Sequence, residues 1–195
     1  MAKIKLSEMI TAVNDITGQR WDTSSIVRWL NMGIQTISDY SYIESDYEFD
    51  VTPDETEYDL PVDFQDDILV KADGKPLERS NIENIGVGGY TVWGDKFHIV
   101  VNAPTTIKMY YFARARTFSQ TAPDNNAVLN IDENYQYIPV YYAASISQSR
   151  DENPDREGGF YQRYMQQLTN FIQVNQARKN KMRRLNYRMR VVRRG

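Results

Sequence analysis

Residues 21–40 read WDTSSIVRWLNMGIQTISDY, and Ile26, Leu30, Ile34 and Ile37 recur in this run every three or four positions, with Trp29 and Gly33 beside them. That spacing predicts one apolar face of a helix. Asp22 and Ser24 both qualify as N-caps, because their side-chain oxygens accept from the first unpaired backbone N–H groups. Arg28, Gln35 and Asp39 fall off the stripe and are expected in water. Such a helix is stable only if its stripe is buried against other elements, so the rest of the chain must supply its partners.

Upstream, Leu6, Met9, Ile10 and Val13 predict a short helix stopped at Gly18. Downstream, the apolar period falls to two. Tyr47, Phe49 and Val51 alternate with Glu48, Asp50 and Thr52, the mark of a half-buried strand. Residues 53–56 are turn chemistry, and the strand of residues 57–60 ends at Pro61, which has no ladder donor. Residues 68–72, Asp73-Gly74 and residues 75–78 form an expected hairpin, and residues 90–93, Gly94-Asp95 and residues 96–101 a second. Residues 80–85 allow one helical turn, Gly86, Gly88 and Gly89 a loop, and residues 107–116 a last strand. Six or so short antiparallel strands suit a small barrel or sandwich.

Residues 117–130 read as a polar connector, after which helical spacing returns. Ile138, Tyr142 and Ile146 lie one turn apart, Ala143, Ala144 and Ser145 permit a close neighbour, and Pro139 starts or kinks the helix. Asn153-Pro154-Asp155 is a helix start, followed by the stripe Phe160, Tyr164, Leu168 and Phe171. Gly158-Gly159 costs roughly 2 kcal/mol inside a helix, so the pair is expected to delay the helix to Phe160 or to mark a close backbone contact. The expected fold is α+β. A helical bundle forms from residues 1–40 and 131–177, with an antiparallel β-barrel or sandwich inserted at 41–117. A connector at 118–130 and an extended basic C-terminal arm at 178–195 complete it.

Of 195 residues, none is Cys, which excludes disulfides and thiolate metal sites and fits synthesis in a reducing cytoplasm. No run of about 18 apolar residues is present, so no membrane span is expected, and MAKIKLSEMI lacks the features of a signal peptide. Fourteen tyrosines suit a chain rich in packing interfaces. The net charge of −3 conceals a division: residues 178–195, RKNKMRRLNYRMRVVRRG, hold nine Lys and Arg and no acid, leaving 14 basic and 26 acidic groups elsewhere. Such a segment suggests a partner of its own.

Four stretches resemble the head-to-tail adaptors (head completion or connector proteins) of short-tailed phages. They are Leu6-Ser7-Glu8-Met9-Ile10 followed by residues 21–31; Glu57-Tyr58-Asp59-Leu60-Pro61-Val62-Asp63-Phe64; Phe160 with Tyr164 and Leu168; and the basic C-terminal extension. The resemblance implies a structural virion protein at the head–tail junction. It implies a ring, usually of twelve copies, docked beneath the portal protein, joined to the next tail component (nozzle or tail tube) and passing double-stranded DNA through its lumen without sequence readout. An acidic body would suit that lumen, because a negative wall repels phosphates.

Arg178, Lys179, Lys181, Arg183, Arg184, Tyr187, Arg188, Arg190, Arg193 and Arg194 are the candidate docking residues for portal or neighbouring subunit. Met182, Leu185, Tyr187, Met189, Val191 and Val192 lie among the charges, as suits an arm that packs into a groove. A solvated basic end and a phosphate-binding tail are the other readings. Gly86, Gly88 and Gly89 are the candidate contact loop for the next tail protein; no βα unit surrounds them, so they are not a dinucleotide loop. His98 alternates with Phe97, Ile99 and Val101 and is expected to face solvent. Asp66-Asp67, Asp132-Glu133 and Asp151-Glu152 read as capping pairs rather than acid–base pairs. No catalytic residue, metal site or cofactor is expected. The alternatives to an adaptor are a nucleic-acid-binding protein using the basic tail, or another virion ring or tail-hub component.

Overall fold

The computed structural model describes residues 3–150 and 154–192. The chain divides into two compact units, one of Met1–Ser41 with Arg114–Lys179 and one of Tyr42–Ala113 with Asn180–Gly195. The architecture is α+β, with helices from both ends of the chain and two four-stranded sheets from its middle.

The first unit packs α1 (Leu6–Thr17) and α2 (Thr23–Ser38) against α3 (Ile138–Arg150). Gly18 ends α1 in the left-handed conformation, φ 71°, and its N–H closes onto the Asn14 carbonyl. Lys5, at the other end, has no side-chain acceptor; the Leu6 and Ser7 N–H groups are satisfied instead by the Ala127 and Asn125 carbonyls. Asp22 caps α2 by accepting from the Ser25 N–H at 2.9 Å, and Ser24 supports it by donating its hydroxyl to the same carboxylate at 2.6 Å. Ile26, Leu30, Ile34 and Ile37 are fully buried, and Arg28, Gln35 and Asp39 are exposed, as their spacing predicts. Pro139 lies in the first turn of α3 and so starts it rather than kinking it.

Gly33 faces α3 so closely that an added Cβ would lie 3.0 Å from Pro139 Cα and 3.1 Å from Tyr142 Cβ. α4 (Pro154–Val192) is one helix of 39 residues. Tyr164, Leu168 and Phe171 bury its stripe, with the Tyr164 ring 5.0 Å from Tyr142 and Phe171 edge-on to Tyr135 at 5.1 Å.

Two expectations are corrected here. Gly158 and Gly159 neither delay the helix nor sit against another backbone: α4 begins at Pro154, and nothing lies within 4 Å of either added Cβ. The basic segment is likewise a continuation of α4 as far as Val192, not an extended arm, because no Pro or Gly interrupts residues 160–194. The cap expected of Asn153 lies outside the described residues.

The second unit holds sheets ordered β1–β8–β3–β4 and β2–β7–β6–β5. The strands are β1 (Ile43–Val51), β2 (Glu57–Asp59), β3 (Phe64–Ala72), β4 (Lys75–Pro76), β5 (Glu78–Arg79), β6 (Gly89–Trp93), β7 (Lys96–Ile99) and β8 (Thr105–Ala113). Asp73 and Gly74, φ 45° and 79°, make the β3–β4 turn, the positive-φ pair that a two-residue hairpin requires. Val51, Val70, Ile107 and Met109 from one sheet and Tyr90, Phe97 and Ile99 from the other share one core. The sheets have no strand in common, so the unit is open and the expected barrel alternative does not form.

Β3 also begins earlier than its apolar run, at Phe64, with register shifts at Phe64/Asp66 and Asp67/Leu69. These bulges turn Asp67 toward the other sheet, where its carboxylate accepts from Arg79 at 2.7 Å and from the Tyr90 hydroxyl at 2.6 Å. Β4 is followed at once by β5, which leaves the hairpin to pair in parallel with β6.

Candidate interaction surfaces

Few of the sequence-predicted residues converge. Arg178 and Lys179 lie on α4 in the helical unit, and the Arg178 guanidinium is 3.9 Å from Asp132. Lys181 is exposed on the same helix. Arg183, Arg184, Tyr187, Arg188 and Arg190 continue α4, with side chains outside the described set; Arg193 and Arg194 lie outside the described residues altogether.

The three loop glycines behave differently from one another. Gly86 and Gly88 are exposed, and Gly88 takes φ 80°. Gly89 is buried as the first residue of β6, and a Cβ there would lie 2.6 Å from Ser80 Oγ. Only the part of this loop at residues 86–88 is therefore accessible. Near it, Arg79, Ser80, Asn81, Ile82, Thr91 and Trp93 line an open groove of about 580 Å³, with Trp93 64% exposed.

His98 departs from expectation. Its side chain is only 14% exposed, and Nδ1 lies 3.7 Å from the Glu57 carboxylate across the β2–β7 pair. Asp67 is a link between the sheets, as described above. Asp132 caps a single 3-10 turn, accepting from the Asn134 N–H at 3.1 Å. Asp151-Glu152 lies outside the described residues. Among the described residues no group of three or more His, Asp or Glu could hold a metal ion, and no helix is long and apolar enough to cross a membrane.

The charge division is sharper than the acidic body read from the sequence. Residues 1–41 and 114–179 carry 11 acids and 11 bases, whereas residues 42–113 carry 15 acids and five bases, and residues 180–195 seven bases and no acid. The helical unit is neutral, and the acid excess belongs to the β unit. Its densest part is β1, where Glu44, Asp46, Glu48 and Asp50 alternate with the core-side residues and are exposed. Lys108, opposite Glu48 on β8, reaches Asp46 at 3.3 Å and Glu48 at 3.8 Å. The Asp46 carboxylate holds this ammonium above the usual lysine range. Charge density of this kind is invisible to motif reading; only assigning each residue to its unit reveals it.

The fold defines an α+β protein of two units, one helical and one built on two four-stranded sheets. The SU10 adaptor protein family matches residues 4–193. The chain belongs to that family: it is a phage head-to-tail adaptor, a structural protein and not an enzyme. No curated protein matches the chain.

Proposed function

We propose that the protein forms a ring of twelve copies beneath the portal. The ring joins the portal to the next tail component, a nozzle or tail tube, and passes double-stranded DNA through its lumen without reading sequence. Its place is the head–tail junction of the virion. The helical units form the wall, and the basic segment at residues 178–195 docks on the portal or a neighbouring subunit. The β unit, with its exposed loop at residues 86–88, turns toward the tail. The domain division at 1–40 with 131–177, 41–117, 118–130 and 178–195 follows these roles.

The observation that carries this reading is the family match across residues 4–193 of a chain whose last 18 residues hold nine bases and no acid. The neutral helical unit modifies one detail: a helical wall repels DNA less than an acidic body would. The test is deletion of Arg178–Gly195 followed by native mass measurement with the portal ring of the same phage. The expected result is a folded protein that no longer attaches, and unchanged attachment refutes the docking role. In parallel, tight binding to random duplex DNA that falls steeply with salt would favour a nucleic-acid-binding tail instead.

A further inference from the structure

Glu44, Asp46, Glu48 and Asp50 stand on the face of the β1–β8–β3–β4 sheet opposite its core, and β1 is the open edge of that sheet. The row spans about 20 Å at 3.4 Å per strand residue. From Ser41 to Val70 the chain holds 11 acids and no Lys or Arg. Among the described residues the ion pairs of this row are those of Lys108 to Asp46 and Glu48, and Asp50 accepts from the Thr106 hydroxyl at 2.7 Å.

The complementary charge is in the same chain. The helical run from Arg178 to Val192 is about 21 Å long at 1.5 Å per residue, holds seven of the nine C-terminal bases, and contains no acid. Its length matches that of the carboxylate row. Within one copy, Asn180–Gly195 groups with the β unit rather than with the helices. A donor segment and an acceptor face on different parts of one chain make a head-to-tail contact when passed between copies, the kind that closes into rings.

We propose that the outer face of the β1–β8–β3–β4 sheet, along Glu44, Asp46, Glu48 and Asp50, is the docking surface for the basic helical segment of a second copy of this chain. The segment is exchanged from copy to copy around the ring. The proposal rests on the ring reading above and names the surface that its neighbour contact uses. Because this contact is charge-driven, it weakens with salt.

The experiment uses two full-length variants. One reverses the face (Glu44→Lys, Glu48→Lys, Asp50→Lys); the other reverses the segment (Arg183→Glu, Arg184→Glu, Arg188→Glu, Arg190→Glu). Circular dichroism checks that both are folded, and Glu44→Gln with Glu48→Gln replaces the first if it is not. In sedimentation at low salt each variant alone is expected to stay monomeric. Their equimolar mixture is expected to associate at least tenfold more tightly than either alone, because each reversed group then meets an opposite one on the other copy. At about 1 M salt, where the Debye length is about 3 Å, the mixture is expected to fall apart. A mixture no larger than its components places the pairing within one copy, or nowhere, and overturns the proposal. Attachment of the face-reversed variant to the portal ring is measured separately. Its retention alongside a failed mixture sinks this inference and leaves the adaptor reading standing.

Discussion

Asn31 and Phe118 exchange two hydrogen bonds across 87 residues of chain: Asn31 Nδ2 donates to the Phe118 carbonyl, and the Phe118 N–H donates to Asn31 Oδ1, each at 2.8 Å. Asn31 is 3% exposed and Phe118 7%. One side chain on α2 thus serves as a strand partner for a residue of the segment expected to be a polar connector, and pins that segment to the helical unit. Replacing Asn31 by Ala leaves a buried donor and a buried acceptor without partners, at about 1–3 kcal/mol each. An expected loss of about 2–6 kcal/mol is read from urea unfolding. Asn31→Asp sets a buried carboxylate oxygen against the Phe118 carbonyl in place of the donor, and is expected to cost at least as much as Asn31→Ala.

The same substitution is expected to have opposite signs at two glycine sites. Gly33→Ala drives a methyl against the α3 backbone at Pro139, and overpacking of this kind costs about 1–3 kcal/mol. Gly158→Ala and Gly159→Ala meet nothing within 4 Å, and each is expected to stabilise α4 by about 1 kcal/mol. Thermal midpoints of the three variants check the contrast.

Acid sensitivity is expected at the start of α2. The hydrogen bonds from Ser24 and Ser25 lower the Asp22 pKa to about 2, against about 3.9 in an unfolded chain. A folded pKa below the unfolded one gives stability that is fully present above about pH 4 and lost as pH falls through about 2. In Asp22→Asn, which still accepts at the cap, unfolding measured from pH 5 to pH 2 is expected to lose this part of its pH dependence. Asp22→Ala is expected to be weaker than wild type at neutral pH.

The link between the two sheets is expected to be sensitive at Asp67. Its side chain is 7% exposed and holds Arg79 and the Tyr90 hydroxyl. Asp67→Ala is expected to cost about 1–3 kcal/mol, the usual loss for a charge-assisted hydrogen-bonding partner. Tyr90→Phe, which removes one of the two bonds, is expected to cost less. Chemical denaturation of both variants measures the difference.

Periodicity alone determined much of this protein. The 3.6-residue stripe of α2, the Asp22 cap, the stop at Gly18 and the Asp73-Gly74 and Gly94-Asp95 turns are local consequences of side-chain spacing and backbone freedom, and the structure keeps them. The helices at both ends and the strands between them follow from the same signals. The tertiary structure decided whatever depended on residues far apart in sequence. It set the pairing of Asn31 with Phe118, the contact of Gly33 with Pro139, and the withdrawal of His98 beside Glu57. It also set the bulges that turn Asp67 toward Arg79, and the confinement of the acid excess to the β unit. Spacing reports which face of an element is apolar, but not which distant segment covers it, because that choice is made by packing between elements.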